Sequence, residues 1–173
     1  MKVVSIIGTK KSGKTTTTEN LISELSKLGY KVAAIKHVPE RDFTLDTPGK
    51  DTYRFAQHGA KTIVAFSAKE LTTIEKIPAE EVSFEKLLEK CAGNDIVLVE
   101  GLKQVMAKNP AIPKISVVKT KEEALYAKEA YTPILAFSGP FNTKELEPKT
   151  TYINALTNPD KLAAFIEEQV LKK

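Results

Sequence analysis

The segment that most constrains the fold is residues 8–15, Gly-Thr-Lys-Lys-Ser-Gly-Lys-Thr, which has the spacing G-x-x-x-x-G-K-[ST]. A mostly apolar run over residues 2–7 precedes it and is typical of a strand buried on both faces of a parallel sheet. An amphipathic pattern over residues 14–28 follows it and predicts a helix. A glycine-rich loop between a strand and a helix predicts a binding site for nucleotide phosphates.

The residue types in this loop match that chemistry. Gly8 and Gly13 allow close backbone approaches that a side chain would block, so that successive N–H groups can point at phosphate oxygens. We expect Lys14 to reach the β- and γ-phosphates as a catalytic residue, and the Thr15 hydroxyl to coordinate Mg²⁺. The two lysines between the glycines either add positive charge around the triphosphate or face solvent. The predicted nucleotide-binding residues are Gly8, Thr9, Lys10, Lys11, Ser12, Gly13, Lys14, Thr15 and Thr16.

The rest of the chain alternates apolar strand patterns with amphipathic helix patterns. Gly29 ends the first helix, and a strand over residues 31–36 completes a βαβ unit. Further strands are predicted at residues 61–66, 71–77, 95–99, 112–118 and 132–137, and helices at 51–58, 84–91, 121–129 and 158–171. This alternation predicts an α/β fold, a P-loop NTPase with three layers α/β/α and a mostly parallel sheet, in a single domain over residues 1–173.

A second acidic motif follows the apolar run at residues 96–99. Glu100 lies where a strand would deliver a carboxylate to the edge of the sheet that also holds the phosphates. We interpret Glu100 as a catalytic residue and a magnesium ligand, direct or through water. Gly101 would let the backbone pass close to a γ-phosphate. The alternative is a charge at the end of a strand, followed by a turn glycine.

The stretch over residues 38–50 is long, polar and without periodicity, which is typical of a functional loop. Asp46 and Asp51 are candidates to bind magnesium or position water, and Asp46 is taken as catalytic. Arg54 is a candidate contact for phosphate or a partner. The alternative is a turn and a helix capped by Asp51, with an ion pair at the surface.

Composition narrows the class of protein. The net charge is +4, but the basic residues are nearly all lysines scattered among glutamates, which favours a solvated surface over a nucleic-acid site. No apolar run approaches the roughly 20 residues that span a bilayer, so we expect no membrane segment. The single Cys91 fits a reducing cytoplasm and a buried position. His37 and His58 are interpreted as structural and surface residues.

Taken together, these motifs resemble the MobB family, the molybdopterin-guanine dinucleotide biosynthesis adaptor proteins. They are the GTxxSGKTT loop, K-H at residues 36–37, D-x-P-G-K-D-T-x-R at 46–54, H-G-A at 58–60 and V-E-G-L-K at 99–103. The resemblance implies a GTP- and Mg²⁺-binding protein of the signal-recognition-particle/MinD class, usually a homodimer and a weak GTPase. It would assist a MobA-type nucleotidyltransferase that attaches GMP to the molybdopterin cofactor. It also implies that Asp46, Lys50, Asp51, Arg54 and Gly101 line a nucleotide, cofactor or partner cleft.

The chain departs from the family pattern at two places. Many relatives have a histidine-rich run after the second strand, where this chain has only His37 followed by Val-Pro-Glu. A guanine-reading N-K-x-D motif is absent, and residues 119–122, Lys-Thr-Lys-Glu, are a loose substitute in which a lysine stem covers the purine and a carboxylate accepts its N–H groups. Guanine specificity therefore rests on the resemblance.

Three other functions fit the loop less well. A small ATP-dependent kinase or ligase would use several arginines to clamp the transferred group, but the chain has only Arg41 and Arg54. A metal-insertion GTPase would need more soft or imidazole ligands than one cysteine and two histidines. A structural domain could retain the loop as a vestige. For the adaptor we expect slow hydrolysis, and ordering of residues 38–50 when nucleotide binds.

Overall fold

The computed structural model describes residues 1–40, 42–107, 109–145 and 150–173. These residues group into two compact units, one formed by Met1–His37 with Leu88–Lys173 and the other by Val38–Leu87. The predicted phosphate loop and Glu100 lie in the first unit, and Asp46, Asp51 and Arg54 lie in the second. Arg41 lies outside the described residues. The single domain over residues 1–173 stays a prediction.

The first unit contains a parallel sheet. Its strands are β1 (Lys2–Gly8), β2 (Val32–Lys36), β5 (Ile96–Glu100), β6 (Lys114–Val117) and β7 (Ile134–Ser138). Their order across the described sheet is β2-β5-β1-β6-β7, and every neighbouring pair is parallel. Because β1 is central, its carboxyl end carries the phosphate loop into the middle of one sheet edge.

The helices of this unit explain why the sheet strands are apolar on both faces. They are α1 (Lys14–Lys27), α4 (Lys103–Ala107), α5 (Lys121–Ala130) and α6 (Pro159–Ile166), which continues as a π-helical turn over Glu167–Leu171. Leu21 and Leu25 of α1 join Leu162 and Ile166 of α6 in the fully buried core beneath the sheet. The predicted α/β fold with a mostly parallel sheet is confirmed.

The second unit combines a short helix with an antiparallel ribbon. Helix α2 (Asp51–Gln57) precedes strands β3 (Thr62–Phe66) and β4 (Leu71–Glu75), which pair with Phe66 opposite Leu71. Helix α3 (Phe84–Glu89) crosses into the first unit. The sequence patterns predicted the two strands but not their separate sheet, because periodicity does not specify which strands pair.

Several predicted element ends are wrong. The strands predicted over residues 71–77 and 112–118 are shorter in the structure, Leu71–Glu75 and Lys114–Val117. Asp51 does not cap α2, because the N-cap is Lys50 and Asp51 is the first helical residue. The helix predicted over residues 158–171 has Asn158 as its N-cap, but the Asn158 side chain makes no capping bond and donates to the Thr157 hydroxyl at 2.8 Å. Cys91 is buried as predicted, just beyond the end of α3. None of the helices described is long and apolar enough to cross a membrane.

Candidate functional site

The phosphate loop begins where β1 meets β6. Gly8 is the last residue of β1 and pairs with Val117 of β6. A Cβ atom on Gly8 would lie only 2.3 Å from the Val117 carbonyl oxygen and 2.7 Å from Ser12 Oγ. The loop then ends at Gly13, the N-cap of α1. The start of the loop is therefore fixed against the backbone of the neighbouring strand, a position that only glycine fits.

Lys14, the first residue of α1, folds back into this loop. Its ammonium donates a hydrogen bond to the Thr9 carbonyl at 2.5 Å. Burial lowers the pKa of Lys14, the carboxylate of Glu100 opposes that shift, and the charges of Lys103, Lys36 and Lys119 reinforce it. The ammonium thus lies inside the loop, partly desolvated and bonded to a neutral carbonyl, where a phosphate group would be a better partner.

Nucleotide affinity is expected to fall as the pH rises into the alkaline range, and this fall should depend on Lys14. The pKa of Lys14 is lowered in the free protein, and an adjacent phosphate would raise it again. Binding then takes up a proton above the free-state pKa, and is independent of this group below it. Fluorescence titrations of nucleotide at stepped pH values, with Lys14→Arg as control, check this, because arginine keeps its charge throughout the range. Equal pH profiles in the two proteins would contradict it.

The remaining loop residues divide into buried and exposed side chains. Ser12 is buried, and its Oγ has no hydrogen-bond partner among the described residues. Lys10, Lys11 and Thr16 are exposed, so the two loop lysines face solvent in this structure. A buried hydroxyl without a partner, one residue before the N-cap of α1, fits a loop that accepts an anionic group.

Glu100 lies at the end of β5, beside the first turn of α1. It is buried, although carboxylates rarely are without a partner. Thr15 Oγ1 donates to Glu100 Oε1 at 3.1 Å, and the Lys36 ammonium forms an ion pair with the same oxygen. The structure therefore brings together the two side chains that the sequence assigned to Mg²⁺.

The side-chain oxygens of Thr15 and Glu100 are of the type that Mg²⁺ prefers as ligands. A hydroxyl and a carboxylate are hard oxygen donors, and Mg²⁺ is usually held in proteins by one or two such groups together with substrate phosphates and water. Within the described residues, no three histidine, cysteine or carboxylate side chains come together as a metal-binding group. Thr15 and Glu100 could hold the ion only together with phosphate and water oxygens.

Gly101 and His37 lie next to each other at this edge of the sheet. The His37 N–H donates to the Glu100 carbonyl at 3.0 Å, extending the β2–β5 ladder by one bond. A Cβ atom on Gly101 would lie 3.1 Å from the Cβ of His37, and Gly101 has a φ of 97°. The backbone of His37 thus extends the β2–β5 ladder, while the interpretation of its side chain as structural and the approach of Gly101 to a γ-phosphate stay predictions.

Glu123 of α5 joins the phosphate loop to the segment after β6. Its Oε1 accepts from the Thr9 hydroxyl at 2.7 Å, and its Oε2 accepts from the Lys119 N–H at 2.8 Å. The Lys119 ammonium donates to the Lys10 carbonyl at 3.1 Å. Partial burial raises the pKa of Glu123, but the bonds from Thr9 and Lys119 outweigh it and leave the pKa lowered. The loop and this segment therefore form one hydrogen-bonded assembly.

Replacing Glu123 with alanine is expected to weaken nucleotide binding about tenfold, because it frees both Thr9 and the segment after β6 from a charged acceptor. Fluorescence titration with a labelled nucleotide measures the change. Glu129→Ala removes an exposed carboxylate from the same helix and should leave affinity unchanged. Equal affinities in the two variants would show that Glu123 does not position the loop.

The sequence analysis missed both Glu123 and Lys36. Glu123 could have been found as the fourth residue of Thr-x-x-Glu, a capping-box pattern, and Thr120 is indeed the N-cap of α5. Lys36 could have been found because it ends a strand parallel to the one that ends at Glu100. Neither pattern indicates the phosphate loop unless the order of the strands is already known.

The predicted cleft residues of the second unit are held by local bonds. Asp46 Oδ1 accepts from the Thr52 hydroxyl at 2.8 Å and from the Thr47 N–H at 3.0 Å. Arg54 lies 3.4 Å from Asp51 in an exposed ion pair. A turn followed by a helix with a surface ion pair, the alternative stated above, describes these contacts within the unit. The roles of Asp46, Lys50, Asp51 and Arg54 in a cleft stay predictions.

A cavity of about 380 Å³ lies beside the first residues of the loop. Gly8 and Thr9 form part of its lining, and Lys103, Glu122 and Glu123 are its charged members. The rest of the lining is mainly apolar: Ser116, Val117, Val118, Tyr126, Ala127 and Tyr131. Because apolar walls offer phosphate few donors, we expect the phosphates in the loop and not in this cavity.

Comparison with known proteins identifies relatives by sequence. A protein of Methanocaldococcus jannaschii is 37% identical over 123 residues, which are 70% of this chain and 49% of that protein. The molybdopterin-guanine dinucleotide biosynthesis adapter protein of Haemophilus influenzae is 33% identical over 115 residues, or 65% of this chain and 61% of that protein. The matched segments thus span about half to three fifths of these curated relatives.

Solved structures share the fold. The crystal structure of molybdopterin-guanine biosynthesis protein B is 24% identical, with a TM-score of 0.76 over 99% of both chains. A MobB protein homologue from Bacillus stearothermophilus is 22% identical, with a TM-score of 0.67 over 97% of both chains. At these identities the likeness shows the fold alone.

The family is shown by a match over most of the sequence. The family model described as MobB, molybdopterin guanine dinucleotide synthesis protein B, matches residues 3–138. That range contains the phosphate loop, both units' predicted motifs and the Glu123 assembly, and it ends with β7. The chain belongs to the MobB family.

Proposed function

We propose that this chain is a GTP-binding adaptor protein in molybdenum cofactor biosynthesis. It assists a MobA-type nucleotidyltransferase in attaching GMP to molybdopterin. The observation that supports this most is the convergence of Lys14, Thr15 and Glu100 at one sheet edge in a member of the MobB family. The relatives from Haemophilus influenzae and Escherichia coli are named adapter proteins of molybdopterin-guanine dinucleotide biosynthesis.

The phosphates of GTP bind in the loop of residues 8–15. Lys14 leaves the Thr9 carbonyl and donates to phosphate oxygens, which the positive end of α1 also attracts. Thr15 and Glu100 hold Mg²⁺, which neutralises charge on the phosphates when it is bound. Gly13 and its neighbours contribute backbone N–H groups. Every one of these groups belongs to the first unit, so the proposed phosphate site needs no residue from the second.

Residues 119–122 recognise the purine base. Lys119 is held beside the loop by its bond to the Lys10 carbonyl, so that its aliphatic stem can cover a base. The exposed carboxylate of Glu122 now accepts from its own N–H and from the Thr120 hydroxyl, and can exchange these donors for the N–H groups of guanine, which adenine presents differently. Lys121 and Thr120 begin the helix that carries this carboxylate. This arrangement supports a preference for GTP over ATP.

Hydrolysis by the chain alone is slow. Rapid phosphoryl transfer in related loops depends on an arginine finger or a water-orienting glutamine. Residues 1–37 and 88–173 contain no arginine, and Glu100 is assigned to Mg²⁺ and not to orienting water. A turnover on the order of 10⁻² s⁻¹ or lower is therefore expected. The adaptor would act through its nucleotide-bound state more than through catalysis.

Reconstitution of the transfer reaction tests the function. A MobA-type nucleotidyltransferase, molybdopterin and GTP are combined with or without this chain, and the molybdopterin guanine dinucleotide formed is measured. Wild type should increase the yield, and Lys14→Ala should not. An equal yield with and without wild type would contradict the adaptor function, and so would rapid GTP hydrolysis by the chain alone.

We also propose that the chain forms a homodimer through the β3–β4 ribbon. Val64 and Phe66 point to the same face of β3, and Leu71 lies opposite Phe66 on β4. These side chains are 58%, 85% and 71% exposed, a concentration of apolar surface that is typical of an interface. A two-stranded ribbon is at best marginally stable alone, so a second copy would stabilise it.

The dimer is expected to dissociate when Phe66 is replaced by lysine, because a charge at the centre of an apolar face opposes its burial. Sedimentation velocity at several concentrations measures the state of each protein. Lys69→Glu, at the exposed turn between β3 and β4, is the matched control and should remain dimeric. A wild-type chain that sediments as a monomer at every concentration would contradict the proposal.

A further inference from the structure

Lys36 lies at the same sheet edge as the proposed magnesium ligands. It is the last residue of β2 and pairs in register with Glu100, the last residue of β5. Paired residues of parallel strands project to the same face of the sheet. The Lys36 side chain is half-exposed, whereas that of Glu100 is nearly buried. The strand order thus places the half-exposed ammonium of Lys36 next to the buried carboxylate of Glu100.

The Lys36 ammonium contacts both oxygens assigned to Mg²⁺. It forms an ion pair with Glu100 Oε1 and donates to Thr15 Oγ1 at 3.3 Å. The Thr15 hydroxyl in turn donates to the same Glu100 oxygen at 3.1 Å. Three groups therefore form a closed triangle, in which the ammonium uses a lone pair of the hydroxyl and the charge of the carboxylate.

A metal ion at Thr15 and Glu100 would need these same features. Mg²⁺ would take a lone pair of the hydroxyl and the negative charge of the carboxylate, and like charges a few ångströms apart repel. With both cations at these oxygens, the repulsion between a divalent ion and an ammonium a few ångströms apart would favour departure of the ammonium. Because the Lys36 side chain is half-exposed and flexible, it can move into solvent while Thr15 and Glu100 remain in place.

We propose that Lys36 is an internal counter-cation that occupies the magnesium position in the metal-free protein and is displaced when Mg²⁺ binds. This inference rests on the proposed nucleotide function. Lys36 neutralises Glu100 when no metal is present, so that the carboxylate does not repel an incoming triphosphate. The chain can then load nucleotide without metal, and Mg²⁺ enters afterwards by exchange with the ammonium.

The dependence of nucleotide affinity on metal tests the role of Lys36. Lys36→Met keeps the length of the side chain and removes its charge, so metal-free nucleotide should bind about tenfold more weakly in EDTA. The same variant should bind Mn²⁺ about tenfold more tightly in its nucleotide complex, as measured by the electron paramagnetic resonance signal of free Mn²⁺. The ratio of the nucleotide dissociation constants without and with metal should therefore rise.

Two further variants separate this role from general electrostatics. Lys103→Met removes another charge whose field reaches Lys14, and should weaken binding equally with and without metal. Lys36→Arg keeps the charge and should retain a ratio close to that of wild type. Equal ratios in Lys36→Met and Lys103→Met would overturn the role of Lys36 alone. Failure of wild type to bind nucleotide with Mg²⁺ would overturn the proposed function as well.

Discussion

Gly8→Ala is expected to lower nucleotide affinity by about a hundredfold or more and to destabilise the fold by about 1–3 kcal/mol. The new methyl group would meet the Val117 carbonyl at 2.3 Å, inside the distance that real Cβ atoms keep. Val117 belongs to β6, which is paired on both sides by β1 and β7 and cannot retreat without loss of ladder bonds. The first residues of the loop must move instead. Fluorescence titration and urea-induced unfolding measure the two effects.

Gly29→Ala is the matched control for that variant. Gly29 has a φ of 90°, but a Cβ atom there would meet nothing within 4 Å. Gly29→Ala should lower the free energy of unfolding by about 1 kcal/mol through backbone strain at the end of α1, and leave nucleotide affinity unchanged. If Gly8→Ala lowered nucleotide affinity no more than Gly29→Ala, the close contact between the loop and β6 would not be needed for nucleotide binding.

Lys114→Met is expected to lower the free energy of unfolding by about 3–5 kcal/mol. Lys114 is fully buried, and its ammonium donates to the carbonyls of Asn109, Ile112 and Thr132 at 2.7, 2.8 and 2.8 Å. Methionine fills a similar volume but donates to none of them. Burial lowers the pKa of Lys114, yet an ammonium supplies the three donors that these three carbonyls require. Urea-induced unfolding followed by circular dichroism measures the loss.

Lys2→Met serves as the control, because Lys2 is the first residue of β1 and its side chain is exposed. A change within about 0.5 kcal/mol is expected there. A loss below about 1 kcal/mol in Lys114→Met would mean that other groups satisfy the three carbonyls. Lys114 would then not hold the amino-terminal ends of β6 and β7 together.

Local patterns predicted most elements of the first unit, because each is specified by residues near in sequence, but they missed the short helix α4 (Lys103–Ala107). The glycine spacing located the loop, and the apolar run before Glu100 located β5. Lys114 shows the limit of this reasoning. It lies inside the predicted strand over residues 112–118, and no pattern distinguishes a buried lysine that binds three backbone carbonyls from one that faces water.

The part of the candidate site that was predicted is likewise the part specified by residues near in sequence. Lys14, Thr15 and Glu100 belong to motifs whose chemistry is readable from spacing, and the structure brings them together. Lys36 and Glu123 contribute through contacts that span 64 and 114 positions. Such contacts depend on the order β2-β5-β1-β6-β7, which the sequence patterns do not specify. The parts of the site that depend on tertiary pairing were therefore the parts that were missed.

The most direct test is a calorimetric titration of wild type and Lys14→Ala with GTP and with ATP, each in the presence of Mg²⁺. We expect tight binding of GTP, weaker binding of ATP, and loss of both in Lys14→Ala, because the ammonium that the Thr9 carbonyl now holds is the main phosphate contact. A clear preference for ATP would contradict the GTP-binding adaptor and favour a kinase or ligase. Unchanged GTP affinity in Lys14→Ala would contradict the phosphate loop itself.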